Sequence, residues 1–264
     1  MQCITLLTDF GGKDSYVGVM KGVIQGINPQ ARVIDLCHEV PPQDIHSAAF
    51  LLKVSYKYFP RGTIHVIVVD PGVGSKRKIV CLKTSDYLFL APDNGVLTPI
   101  RQEEKIEEIV EVSRQRYFLK EVSRTFQGRD IFAPVAAHLS LGVNPSELGP
   151  KVSHFRDLKI PPVHFSEKGL EGEIIYIDRF GNLITNITRA DLRGLEKKIS
   201  GKGIRITVGG KEIRKINKSY AESQSGELLA IIGSSHYLEI SLNQGNARKV
   251  LGLDRGEKLI IVFE

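Results

Sequence analysis

Four acidic motifs carry most of the chemistry available to this chain. Thr8-Asp9-Phe10-Gly11 follows the apolar run 4–7, and Asp70-Pro71-Gly72-Val73-Gly74 follows the β-branched run 63–69. Ala91-Pro92-Asp93-Asn94-Gly95 follows Leu90, and Asp178-Arg179-Phe180-Gly181-Asn182 follows the run 172–177. A carboxylate held at a strand end by Gly or Pro can grip hydroxyls, order a water or accept a proton. Asp9 and Asp70 read as functional, whereas Asp93-Asn94-Gly95 is equally well ordinary turn chemistry. The fourth motif adds an aromatic face and an amide. An Asn amide donates and accepts in a geometry that matches a purine edge. Tyr220 supplies a possible second stacking ring, and Gly233-Ser234-Ser235-His236-Tyr237-Leu238-Glu239 a further polar turn.

Several chemistries are absent. There is no GxxxxGK[ST], and no GxGxxG follows the first strand, so nucleoside triphosphates and dinucleotides are not expected. The seven histidines form no HxxxH or HExxH grouping, and no metal or other cofactor is expected. Cys3, Cys37 and Cys81 are odd in number and contain no CxxC, which points to a reduced interior with three small buried residues. The net charge of +6 invites a nucleic-acid reading. Much of the excess lies in block 189–218, which has no Phe or Trp and no Tyr, and therefore no platform for stacking bases. That block reads as solvated strand edges with a hairpin turn at Gly209-Gly210, and no nucleic-acid partner is expected. The N-terminus lacks a basic segment followed by an apolar one, and the apolar runs are strand-sized. A cytoplasmic protein without a membrane partner is expected.

These motifs need a scaffold, and the chain supplies two kinds. Residues 1–150 alternate strands and helices: helical spacing at Val17, Met20, Val23, Ile24 and Ile27, a helix over 45–56, and another over 129–141. Such alternation predicts an α/β domain with a largely parallel sheet, whose ligands sit beyond the carboxyl ends of the strands. Periodicity is lost in a Pro-rich stretch, read as a linker over 151–169. Residues 170–264 then carry short strands punctuated by Gly and Asn, which predicts a C-terminal all-β barrel domain.

Seven segments, TDFGGKDSYVGVMKG, HEVPPQDI, VVDPGVG, APDNGVL, GRDIFAPVAAHL, IDRFGNLITNI and YLEISLNQGNA, occur in one order along the chain. Together they closely resemble the S-adenosyl-L-methionine hydroxide adenosyltransferases, relatives of the S-adenosylmethionine fluorinases and chlorinases. The resemblance implies a homotrimer with active sites between neighbouring subunits. It also implies attack of water or hydroxide on the ribose C5′ of S-adenosyl-L-methionine, giving adenosine and L-methionine. Carried onto this sequence, it makes Asp70 and Arg77 the water-orienting pair, where the halogenases have a Tyr in place of Asp70. It makes Asp9 the ribose-binding carboxylate. Phe180, Asn182 and Tyr220 become the adenine contacts, and Asp178, Ser234 and Ser235 the methionine contacts, with Glu239 beside them. In the family the third water-handling residue is a His in Thr-Phe-His-Gly-Arg-Asp; here the segment reads Thr125-Phe126-Gln127-Gly128-Arg129-Asp130. Glutamine cannot take a proton at ordinary pH. The expectation is therefore a hydrolase whose catalysis leans on orientation, with a non-catalytic binder of the same ligand as the alternative.

Overall fold

A strand with every residue buried must have a layer on each side, and the β-branched run supplies one. In the computed structural model, which describes residues 3–167, 169–196 and 203–263, all five residues of Ile64–Val68 are buried. The chain divides into two units, Met1–Leu158 and Lys159–Glu264. The first holds strands β1 (Cys3–Thr8), β2 (Arg32–Cys37), β3 (Ile64–Val68), β4 (Ile79–Thr84), β5 (Leu88–Pro92) and β6 (Ile106–Glu111). Their order is β2-β1-β3-β5-β4-β6. The first four in that order run parallel, and β4 is antiparallel to both its neighbours.

Helices cover both faces. Ile64, Val66 and Val68 pack with α1 (Tyr16–Ile27) and α4 (Ala133–Ser140), whereas Ile67 and Val69 pack with α2 (Ile45–Ser55) and α3 (Thr98–Glu103). Helix α1 follows its spacing, with Val17, Met20 and Ile24 buried and Asn28 closing it through its N–H to the Ile24 carbonyl. Asp44 caps α2 by accepting the Ser47 N–H at 3.2 Å. The helix expected over 129–141 is shorter and opens differently. Gly128–Phe132 is a widened turn, with the Ala133 N–H reaching back to the Gly128 carbonyl, and α4 begins only afterwards. Pro134, which has no N–H, sits in the first turn of α4, where none is needed. Of the three cysteines only Cys81 is fully buried; Cys3 and Cys37, placed near the sheet margins, are half-buried.

One face of α1 carries Gly18, Gly22 and Gly26, and a Cβ at any of them meets nothing within 4 Å. Gly22→Ala, in helical backbone, is expected to raise stability by about 0.4–1 kcal/mol, because alanine has less conformational freedom to lose on folding. Chemical denaturation of the two proteins side by side checks this; a lower midpoint in the variant is the contrary result.

The second unit holds β7 (His164–Phe165), β8 (Gly169–Ile177), β9 (Leu183–Thr188), β10 (Ile204–Val208), β11 (Lys211–Ile213), β12 (Ile216–Asn217), β13 (Leu228–Ile232), β14 (Tyr237–Leu242) and β15 (Lys258–Phe263). Eight form one path, β11-β10-β15-β8-β9-β14-β13-β12, with β7 added beside β8. The result is a nearly closed, barrel-like sheet around Ile174, Leu183, Ile206, Leu238 and Ile261. Two short helices join it, α5 (Arg189–Glu196) and α6 (Ala247–Leu251). The basic block therefore differs from its strand-edge reading at its start, where Arg189–Glu196 is helical; its hairpin over β10 and β11 is present, and 197–202 lie outside the described residues. Among the described residues no helix is long and apolar enough to cross a membrane.

Candidate functional site

Parallel pairing sets the geometry of the first unit. β1 and β3 are neighbours in register, with Thr8 opposite Val68, so the Asp9 and Asp70 loops leave the sheet at the same edge. Asp93-Asn94-Gly95 leaves there too. Asn94 donates through Nδ2 to the Val69 carbonyl at 2.9 Å, and Asp93 accepts the Arg156 N–H at 2.6 Å. That turn thus ties down the backbone beside Asp70, in keeping with a structural role.

Asp70 and Arg77 meet as a buried pair, their side chains 5% and 6% exposed. Arg77 Nε donates to the two Asp70 oxygens at 2.8 and 2.7 Å, and Nη2 also contacts Asp70 Oδ2. The Gly72 N–H donates to Asp70 Oδ1 at 3.2 Å, closing the Asp-Pro-Gly turn on its own carboxylate. The same Nη2 donates to Gln127 Oε1. Arg77 therefore spans Asp70 and Gln127, residues that lie fifty-seven positions apart in sequence. Deleting either partner of a carboxylate–guanidinium pair this buried leaves the other uncompensated.

An aromatic cluster fastens the two remaining loops. Phe10 lies 5.9 Å from Phe126 and 5.5 Å from Tyr16, and Tyr16 and Phe126 meet edge to face at 5.0 Å. Phe10 follows Asp9 and Phe126 precedes Gln127, so the packing of these rings sets the spacing of the two polar residues. Asp9 itself accepts the Gln43 N–H at 2.7 Å.

The second unit carries a cavity of about 740 Å³ lined by Asp178, Phe180, Asn182, Tyr220, Ser234 and Glu239, together with the turn Asn243-Gln244-Gly245. Its rings are unusually open for their size: Phe180 is 73% exposed and Tyr220 41%. Large exposed rings on one cavity mark a stacking surface. Asp178 organises its own loop, accepting the Phe180 N–H at 2.9 Å, the Asn182 N–H at 2.8 Å and the Asn182 side-chain amide at 2.9 Å. That last bond fixes the orientation of the Asn182 amide, which keeps its carbonyl oxygen and one N–H for a ligand. Glu239 is engaged only loosely, by the Tyr220 hydroxyl at 3.4 Å. Burial, and then the neighbouring Asp178 charge, raise the Glu239 carboxyl above its usual range, with the Tyr220 bond opposing them. Burial likewise raises the Tyr220 phenol. Ser235 is not among the residues lining the cavity.

A family model described as the SAM hydroxide adenosyltransferase N-terminal domain matches residues 4–149, and one for the C-terminal domain of that family matches residues 172–260. The chain belongs to this family. An (R)-S-adenosyl-L-methionine hydrolase from Thermus thermophilus is 37% identical to it, covering 97% of this chain and 98% of that protein. One from Methanocaldococcus jannaschii is 35% identical, covering 100% and 97%. A fluorinase from Nocardia brasiliensis stands further off, at 26% identity over 96% and 94%. Among solved structures, an uncharacterised conserved protein from Thermotoga maritima superposes with a TM-score of 0.91 at 40% identity, covering 98% of this chain and 99% of that one.

Two features of this SAM hydroxide adenosyltransferase chain were not readable from residue type. Among the described residues, three non-glycine residues have positive φ: Gln43 at 65°, His236 at 68° and Gln244 at 56°. Gln43 holds Asp9, His236 closes the turn after Ser234 and Ser235, and Gln244 lines the cavity. Such backbone is costly for residues with a Cβ and clusters at functional sites. The second feature is the widened turn after Gln127, a local irregularity of the kind that re-aims a side chain.

Proposed function

We propose that this chain hydrolyses S-adenosyl-L-methionine at the ribose C5′, forming adenosine and L-methionine. The observation that carries the reading is the buried Asp70–Arg77 pair, with Gln127 bonded to it, in a member of this family. Water bound to Asp70 attacks C5′ in line with the departing sulfur. The carbon–oxygen bond forms, the carbon–sulfur bond breaks, its electron pair neutralises the sulfonium, and the proton the oxygen must lose passes to Asp70 and then to solvent. Because the leaving group is already cationic, no acid is needed to expel it, and no cofactor is required. Placing the water is the larger contribution, since well-oriented reactants can save about 7–11 kcal/mol.

Asp9 takes the ribose hydroxyls. Phe180 and Tyr220 stack on the adenine, and Asn182 pairs with its edge. Asp178, Ser234 and Ser235 serve the methionine end, with Glu239 beside them. Carboxylates suit a substrate that is a net cation. Their place is at the sugar and the amino group, because a carboxylate against the sulfonium would stabilise the ground state more than the transition state. The active assembly is a homotrimer in which neighbouring subunits complete each site; light scattering should find three chains per particle. Three free thiols fit a reducing compartment, the cytoplasm.

The test is incubation with S-adenosyl-L-methionine in ¹⁸O-enriched water. Adenosine labelled at its 5′ oxygen is expected. Unlabelled adenosine, or none above the enzyme-free blank, is the result that removes the reading. Binding of the ligand by calorimetry without turnover would favour a non-catalytic binder instead.

A further inference from the structure

The cavity of the second unit is charged in one sense only. Asp178 and Glu239 line it, and among the described residues around it there is no Lys, Arg or His. The turn that carries Phe180 does hold a cation, but Arg179 lines a separate cavity of about 410 Å³, together with Arg248 and Lys249. Asp178 is largely committed to its own loop, accepting the Phe180 N–H, the Asn182 N–H and the Asn182 side-chain amide. Glu239 is different. It sits on β14, in register with Ile231 and Ile184 of the strands on either side. Its carboxylate lies against Gly233, in the space that a Cβ there would fill. This half-buried carboxylate has one loose bond, from the Tyr220 hydroxyl, and the Asp178 charge for a neighbour. It lacks a counter-charge, which makes its burial costly.

A ligand amine supplies that charge. Resting on the hydrolase reading, we propose that Glu239 selects the substrate by its aliphatic amine, that the cavity does not recognise the amino-acid carboxylate, and that adenosyl sulfonium amines lacking a carboxylate are hydrolysed as well. In an α-amino acid the carboxylate hangs on the carbon that bears the amine. An amine seated on Glu239 therefore brings a like charge close to two carboxylates. Ser234 also lines the cavity, but a hydroxyl is a neutral donor, weaker toward a carboxylate than a guanidinium. Removing the ligand's carboxylate removes the repulsion and leaves a dication.

The reaction of such a substrate is the same displacement. The water oxygen bonds to ribose C5′, the C5′–S bond breaks with its electron pair going to sulfur, and the proton lost from oxygen goes to solvent. From decarboxylated S-adenosylmethionine the products are adenosine and methylthiopropylamine.

The test offers S-adenosyl-L-methionine, its decarboxylated form and adenosine to the full chain and to Glu239→Gln, at constant ionic strength and pH 8, well above the carboxylate range. On the parent, the decarboxylated substrate is expected to show a KM lower by about fivefold, the scale of one like-charge contact in water. Its kcat should match that of S-adenosyl-L-methionine within about threefold. Glu239→Gln is expected to raise KM for both amines by about 10-fold, the scale of one hydrogen bond to a charged group. Affinity for adenosine, which has no aliphatic amine, should stay within about twofold. The unfolding midpoint of the variant should hold or rise, because a neutral amide is less costly to bury than a carboxylate without a counter-charge. A KM for the decarboxylated substrate no lower than that of S-adenosyl-L-methionine overturns the proposal, and this comparison needs no variant. A glutamine variant with the parental KM also overturns it, as does one that loses adenosine affinity as much as it loses the amines, since Glu239 would then serve the rings. Adenosine formed from neither substrate overturns the hydrolase reading; calorimetric binding of the same three ligands then decides the role of Glu239 by itself.

Discussion

Asp70→Asn is expected to lower kcat by about 10³-fold, within the range of about 10²–10⁴ that a positioned proton acceptor contributes. The substitution preserves shape but not chemistry. Arg77 presents donors to both Asp70 oxygens, so the asparagine must turn its own oxygen to the guanidinium. Its NH2 then points where the carboxylate accepted, and the water loses its proton acceptor. Affinity for adenosine should hold, because the rings proposed to stack on it line the cavity of the second unit. Adenosine release by chromatography and adenosine binding by calorimetry separate the two quantities. A variant within tenfold of the parent kcat would take the proton away from Asp70. The substitution also breaks a buried ion pair, with a cost of up to about 3–5 kcal/mol, so an unfolding curve belongs beside the kinetics.

How far the residues alone disclose such a site depends on how local its determinants are. Asp70 was legible because the β-branched run before it could only be a buried strand, whereas its pairing with Arg77 came through resemblance. Asp178, Phe180 and Asn182 were legible because one short loop holds all three and bonds to its own aspartate. Gln127 came into view only through resemblance. Its partner lies fifty residues away, and nothing in its own neighbourhood demands an arginine. The positive φ at Gln43 and Gln244 could not be read at all, since glutamine is no turn former. Charge hid two elements. Strand β6, IEEIVE, carries its acids on the sheet's edge strand, and helix α5 has so few apolar residues that it resembled a solvated block.

Gly181→Ala should damage binding and leave the reacting groups alone. Gly181 has φ of 83°, and a Cβ there would overlap the Asn246 side-chain amide. Asn246 cannot easily yield, because its Oδ1 accepts the Lys249 N–H at 2.8 Å and caps α6. The Gly181 carbonyl also accepts the Arg248 N–H at 3.0 Å, seating the turn on the same helix. Relief therefore requires moving the turn itself, and with it Phe180 and Asn182. Losing one stacked ring is worth about 1–3 kcal/mol, so KM should rise by about 10-fold or more while kcat at saturation stays within about threefold. Positive φ alone also costs an alanine about 1–2 kcal/mol, and a general loss of stability could imitate the effect. Gly210→Ala separates the two: φ there is 71°, but a Cβ meets nothing within 4 Å, and the hairpin turn carries no cavity residue. That control should lose stability on a similar scale and keep the parental KM. Equal KM changes in both variants would show that the collision with Asn246 is irrelevant and that the turn does not position the stacking ring.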